Sequence, residues 1–362
     1  MHDHARATYR QAPSGMLTVP HNQEKMKSKT IGYFLMLLIP ISSICQTDYR
    51  ISYYPYINDA ELAIIDSNFR LALENYKRAF NLVEIGFGRD YHNAALCAIE
   101  LEEFDIALKY LNKLASKGIE KEYFEKNKNT YSKLYGKGFE EFLDGFEELQ
   151  KSTFQQTVNY DLIGKLGEME NKDQEFRYDY KLFQDTIQKI DAENISKLVD
   201  LVDRYGFPSE EMLGLQSPYA DRVGYHYIIW HHLKNWKSDT TLIDIRPIIL
   251  DAVKDGQLSP EQAADYFNIS ESRVGGVGNF GNTGVIRFND DIKFYILDYK
   301  DENLVNQNRK ELGLCNLEDL EEKLRFHFIK EKRKSRFEVL KLGGIDQYPS
   351  EAKSIIDVKE LK

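Results

Sequence analysis

Tyr91-His-Asn-Ala94-Ala95-Leu-Cys97-Ala98-Ile-Glu-Leu-Glu-Glu-Phe104-Asp-Ile-Ala107-Leu-Lys-Tyr110-Leu111-Asn-Lys-Leu114-Ala-Ser-Lys117-Gly118 is the stretch that decides the fold. Its apolar residues recur at spacings of three and four, the mark of helices that each bury one face. Ala94, Ala95 and Ala98 are small where a second helix must cross closely, because a larger side chain would hold the two apart. Gly118 follows Lys117 as a helix-stopping glycine. Upstream, Ala72-Leu-Glu-Asn-Tyr76-Lys-Arg-Ala79 repeats the pattern of Ala107-Leu-Lys-Tyr110-Leu111-Asn-Lys-Leu114, and the copies begin 35 residues apart. A helical region over 59–150 is expected, built of hairpins.

The unit from Tyr91 to Gly118 resembles a tetratricopeptide repeat, whose period is about 34 residues. Tyr91 and the three alanines match the first helix of such a unit; Phe104, Ala107, Leu111 and Leu114 match the second. The resemblance implies either a packed structural hairpin or a concave surface that grips a protein or peptide partner. With one full unit and one partial unit, that surface would be short.

A second region, 160–325, changes character. Leu162, Leu166 and Met169 lead to Asp173-Gln174-Glu175-Phe176-Arg177, where Asp173 and Arg177 have ion-pair spacing on a helix. Asp191 is expected to cap a helix carrying Ile195, Leu198, Val199, Val202 and Tyr205, ended by Gly206-Phe207-Pro208. Another helix carries His226, His231 and His232, and Ser259-Pro260-Glu261-Gln262 opens a further one. A glycine loop, 275–284, precedes strand-like Val285-Ile-Arg-Phe and Phe294-Tyr-Ile-Leu. A last helix is expected from Leu317 to about Lys334. Residues 160–325 resemble a domain-of-unknown-function family of exported bacterial proteins. The resemblance rests on Asp173-Gln174 with Arg177, Asp191 with Asn194, Gly206-x-Pro208, the histidine helix, the loop through Gly281, and Asn308-Arg309 before Leu312-Gly313-Leu314. The family's Asp-Arg pair and closing Tyr-Gly-Thr-Gln read here as Glu271-Ser272-Arg273 and Phe280-Gly281-Asn282-Thr283-Gly284. The resemblance implies no activity. The fold class that follows is mainly α: tetratricopeptide-like hairpins, then a second, mostly helical domain with a glycine-rich loop and a short β-hairpin. Residues 326–362 are expected to form a charged C-terminal tail.

The amino terminus reads as an address. Met26-Lys-Ser-Lys followed by the apolar run from Ile31 to Ile41, with Ser43 and Cys45 at the cleavage positions, matches a secretory signal over 26–45. Residues 1–25 then form a non-native or unstructured extension, and the mature chain is expected to be periplasmic or secreted. Ile44 argues against lipidation of Cys45, which wants a small residue before it. No later run is long and apolar enough to span a bilayer. A net charge of −10 excludes a general polyanion binder, so no nucleic acid is expected. Basic residues from Lys330 to Arg336 read as a solvated helix end. Cys97 and Cys315 lack any CxxC spacing and read as small core hydrophobes.

Candidate ligand-binding residues are Asp173, Gln174, Arg177, Asn194, His226, His231, His232 and Gly281. Arg177 could hold a carboxylate or phosphate, and the histidines invite a metal. However, His226 and His231 diverge by about 140° on a helix and the adjacent pair by about 100°. One helix therefore cannot chelate with them, and neither metal nor cofactor is expected. Gly276-Val-Gly278-Asn-Phe-Gly281 matches G-x-G-x-x-G, but it follows a helix and precedes strand-like residues, the reverse of a dinucleotide loop. No nucleophile motif occurs. The leading expectation is an exported interaction or scaffold module. The alternative is a metal-assisted hydrolase using His226, His231 or His232 with Asp173 or Asp185, which needs these side chains to converge on one pocket.

Overall fold

The computed structural model describes residues 47–236, 242–272, 280–281, 284–289, 292–330, 336–340, 345–354 and 356–362, the last three residues of the 242–272 stretch by backbone alone. The signal segment, the 1–25 extension and most of the glycine loop lie outside the described residues. The chain is mainly α-helical.

Two helical hairpins come first. Tyr54–Ile65 pairs with Phe69–Leu82, and Gly88–Glu100 pairs with Phe104–Ala115. Their turns are copies. Ser67 and Glu102, 35 residues apart, hold positive φ of 58° and 59°. One residue on, the Asn68 and Glu103 N–H groups each donate over 2.8 Å to Ala63 and Ala98. The repeat seen in sequence is thus a repeat of backbone geometry. Ala60, Ala94, Ala95, Ala98 and Ala107 are fully buried, as close crossing requires. The rings of Phe80, Tyr91 and Tyr110 meet between hairpins, with centroids 4.6 and 5.4 Å apart from that of Phe80. Each buried Leu73, Leu111 or Leu114 contributes roughly 1.5–3 kcal/mol. Enlarging Ala95 would cost about 1–3 kcal/mol by overpacking.

Tyr160–Gln174 and Gln184–Tyr205 form the next pair, followed by His226–Trp236, Arg246–Lys254 and Pro260–Ser272. Leu162, Leu166, Ile195, Leu198, Ile228, Ile229 and Leu233 share one core. Gly206 stops its helix with φ +83°, and the Ser259 hydroxyl caps the last helix by accepting from the Gln262 N–H. The expectation that Asp191 caps a helix is corrected. That helix starts seven residues earlier, at Gln184, and Asp191 sits inside it, its carboxylate turned to Arg177.

Strands β1 (Leu215–Ser217) and β2 (Ala220–Asp221) make a short antiparallel pair. β3 (Val285–Phe288) and β4 (Tyr295–Leu297) form the expected hairpin. They lie at the centre of a four-stranded sheet ordered β5-β3-β4-β6. Its edges, β5 (Ile345–Tyr348) and β6 (Val358–Glu360), come from the segment read as a charged tail. β5 runs parallel to β3, and β6 antiparallel to β4. A segment rich in charge forms these edges because an edge strand needs only one face apolar.

The helix Leu317–Arg325 ends in a π-helical turn, Phe326–Lys330. Phe326, Phe337 and Val339 join the hairpin core. Deep between them, Lys323 donates to Glu61 over 2.6 Å, and both are almost wholly buried. Asn93, fully buried, holds the backbone of Glu338 at both ends: its amide donates to the carbonyl over 2.8 Å and its oxygen accepts from the N–H over 3.1 Å. The hairpin face that the repeat presents is therefore covered by Arg336–Leu340 of the same chain.

Candidate functional site

Four sequence-selected residues come together. Arg177 donates to Asp173 over 2.7 Å and also to Asp191; the Asp173 carboxylate bonds His231 Nδ1 over 2.9 Å, and Gln174 donates to it over 2.6 Å. Burial pushes the Asp173 carboxyl up, but its hydrogen bonds to His231 and Arg177 outweigh this and hold it below its ordinary value. Asp191 moves the other way, raised by burial against the pull of Arg177. Asp173, Asp191 and His231 offer ligand atoms within 4.8 Å of one another, a spacing a metal ion could bridge. Yet the Arg177 guanidinium already bonds both carboxylates. The trio therefore has its cation, and the set fits an ion-pair cluster locking the Tyr160–Gln174, Gln184–Tyr205 and His226–Trp236 helices together.

Asn194 crosslinks the first two of those helices, donating to the Met169 carbonyl over 3.1 Å. His232 is a core histidine: it is buried, its Nε2 meets the Ile243 carbonyl at 2.8 Å, and burial lowers its pKa. Gly281, at φ +76°, lies beside Leu317, Arg309 and Tyr299, and its carbonyl accepts from Asn268 over 2.9 Å. Arg309, fully buried, also donates to the Phe280 carbonyl. These contacts anchor the end of the glycine loop. Asp185 is exposed. The three histidines thus have three separate sets of partners.

Of the selected residues, His226 opens onto a cavity of about 470 Å³, and Asn194 onto a separate one of about 340 Å³. The His226 Nε2 lies 2.7 Å from Asp221 Oδ2, and its Nδ1 contacts the Tyr266 hydroxyl. A carboxylate can only accept, so the Nε2 proton lies toward Asp221, while Nδ1 faces the Tyr266 hydroxyl. Burial pushes the Tyr266 phenol well above its ordinary value, which keeps it protonated. Tyr266, His226 and Asp221 thus form a hydrogen-bonded row that ends at the cavity wall.

The other walls come from distant parts of the sequence. Phe87 and Arg89 come from the start of the Gly88–Glu100 helix, Glu210 and Leu215 from the approach to β1, and Glu338 and Leu340 from the segment held by Asn93. Arg89 is paired from behind with Glu61 at 3.2 Å, Asp90 at 3.3 Å and Glu261 at 3.0 Å. Glu210 accepts from the Gly88 N–H over 2.9 Å and pairs with Lys117 at 3.0 Å. Even so, burial raises its carboxyl to about 7. Glu338 is raised too, by burial, with Arg89 pulling the other way. Burial thus favours the protonated form of both carboxyls.

Sequence reasoning missed Asp221, Tyr266, Glu210, Arg89 and Glu338. One signal was available: Asp221, the last residue of β2, stands five residues before His226. The rest meet through the long-range fold and leave no local pattern. Searches of protein-family profiles, curated proteins and solved structures found no match to the chain.

Proposed function

We propose that the mature chain is an exported, mainly helical binding protein. Its paired hairpins act as scaffold, and its ligand sits in the cavity walled by His226, Asp221, Glu210 and Glu338. The observation that carries this reading is the cavity itself. Its volume falls within the roughly 300–1,000 Å³ that small ligands fill. Its wall combines apolar Leu215, Leu258 and Phe87 with a few convergent polar groups. The tetratricopeptide-like hairpins fit the scaffold role because their repeat face is covered by Arg336–Leu340. The Met26–Cys45 signal supports export; amino-terminal sequencing of the protein recovered from its host should begin at Gln46.

The hydrolase reading has its nearest support in Asp173, Asp191 and His231, but Arg177 occupies the charge a metal would supply. Thermal-shift screening with a small-molecule library, run on the natural chain and on Leu258→Trp, tests the proposal. Ligands should raise the melting temperature of the natural chain and lose their effect on the filled variant. Equal shifts in both proteins would overturn the cavity as the site.

A further inference from the structure

Resting on the cavity as the binding site, we infer that its ligand is an organic cation: an ammonium or guanidinium group carried on an apolar body. The argument is charge and shape together. Asp221, Glu210 and Glu338 line the cavity, against one cationic side chain among the described residues, Arg89; Glu210 is itself paired with Lys117 at 3.0 Å, so Asp221 and Glu338 carry the acidic character. The Arg89 guanidinium is neutralised from outside the cavity by Glu61, Asp90 and Glu261. The cavity is thus electronegative, and an anionic ligand entering it would meet carboxylates with no unengaged guanidinium to receive it.

Part of the remaining wall is aromatic. Tyr54, Phe87, Tyr219 and Tyr225 line the same space, and faces of such rings attract cations within about 6 Å of their centroids. Aromatic faces with carboxylates suit an alkylammonium, whose charge needs an acidic partner and whose stem needs apolar surface. Glu338 sharpens the expectation, since a cation beside it would favour its ionised form, so binding should release a proton.

The test is titration calorimetry on the full mature chain with cadaverine, agmatine and choline, against neutral 1-pentanol and anionic pentanoate. At least one of the three cations should bind at least about tenfold tighter than the neutral and anionic probes. Its affinity should rise with pH as the raised Glu210 and Glu338 carboxyls ionise, with proton release seen as a dependence of the heat on buffer ionisation. Asp221→Asn and Glu338→Gln, each checked for an unchanged melting profile, should each weaken the cation about tenfold or more; either variant alone suffices if the other misfolds. Neutral or anionic probes binding as tightly as the cations would overturn the cationic class and leave the binding reading standing. Absence of binding by every probe, together with no hit in the library screen, would overturn both.

Discussion

Replacing Asn93 by alanine unhooks Arg336–Leu340 from the second hairpin, and the structure sets the size of the effect. Asn93 is fully buried and satisfies both main-chain groups of Glu338, at 2.8 and 3.1 Å. A buried donor or acceptor left without a partner costs about 1–3 kcal/mol. The Glu338 side chain is 34% exposed, so water can reach part of this backbone and recover some of the loss. The expected destabilisation is therefore about 2–4 kcal/mol, part of it from the space that the lost amide leaves. With a urea slope of about 1–3 kcal/mol per molar, the unfolding midpoint should fall by about 1 M or more with the slope unchanged. Asn93→Asp keeps the acceptor for the Glu338 N–H but sets a second oxygen against the Glu338 carbonyl at a fully buried position, so it should cost at least as much as alanine at pH 7. Because Glu338 and Leu340 line the cavity, Asn93→Ala should also weaken any ligand found there. A midpoint shift below about 0.2 M would refute the view that this segment is a fixed wall.

Arg177→Gln should destabilise the chain by about 3 kcal/mol at pH 7, because it leaves Asp173 and Asp191 buried without their cation; urea unfolding should show the gap narrowing toward pH 4 as the carboxylates take up protons. In the same variant Zn²⁺ should raise the melting temperature through Asp173, Asp191 and His231, with no such shift in the natural chain. His92 is buried, and burial pushes its pKa from 6.5 down to about 4. It is neutral in the fold, so its contribution to stability is complete above pH 6.5 and is lost as pH falls toward 4, by about 3 kcal/mol at 1.36 kcal/mol per pH unit; unfolding midpoints of His92→Gln should lack that arm. Glu102→Gly should stabilise by about 0.5–1 kcal/mol, because glycine adopts the positive φ there without strain. Thermal denaturation checks it.

Legibility in the sequence followed locality. The hairpins could be read because helix periodicity and small residues at crossings are local, and the 35-residue offset survives as the matched turns at Ser67 and Glu102. The Ser259 cap and the strands around Ile286 and Ile296 could be read for the same reason. Asp173 and Arg177 read as an ion pair from their spacing of four, and His231, on a separate helix, joins them. Asp191 was read as a cap because an aspartate before a periodic run has that meaning locally; its partner, Arg177, lies 14 residues back and turns it inward. Residues 326–362 look like a tail because their charges mask short apolar edges, and only the neighbouring β3 and β4 give those edges a place. The cavity was illegible: Arg89, Glu210, Asp221 and Glu338 are brought together by contacts that span more than a hundred residues.

A crystal structure of the mature chain with the tightest-binding cation tests the central claim most directly. The account predicts density in the cavity beside Asp221 and Glu338, with the aliphatic stem against Leu215 and Leu258 and the charge near Tyr219 or Tyr225. A ligand bound elsewhere on the chain, with the cavity closed by its own side chains, would contradict it.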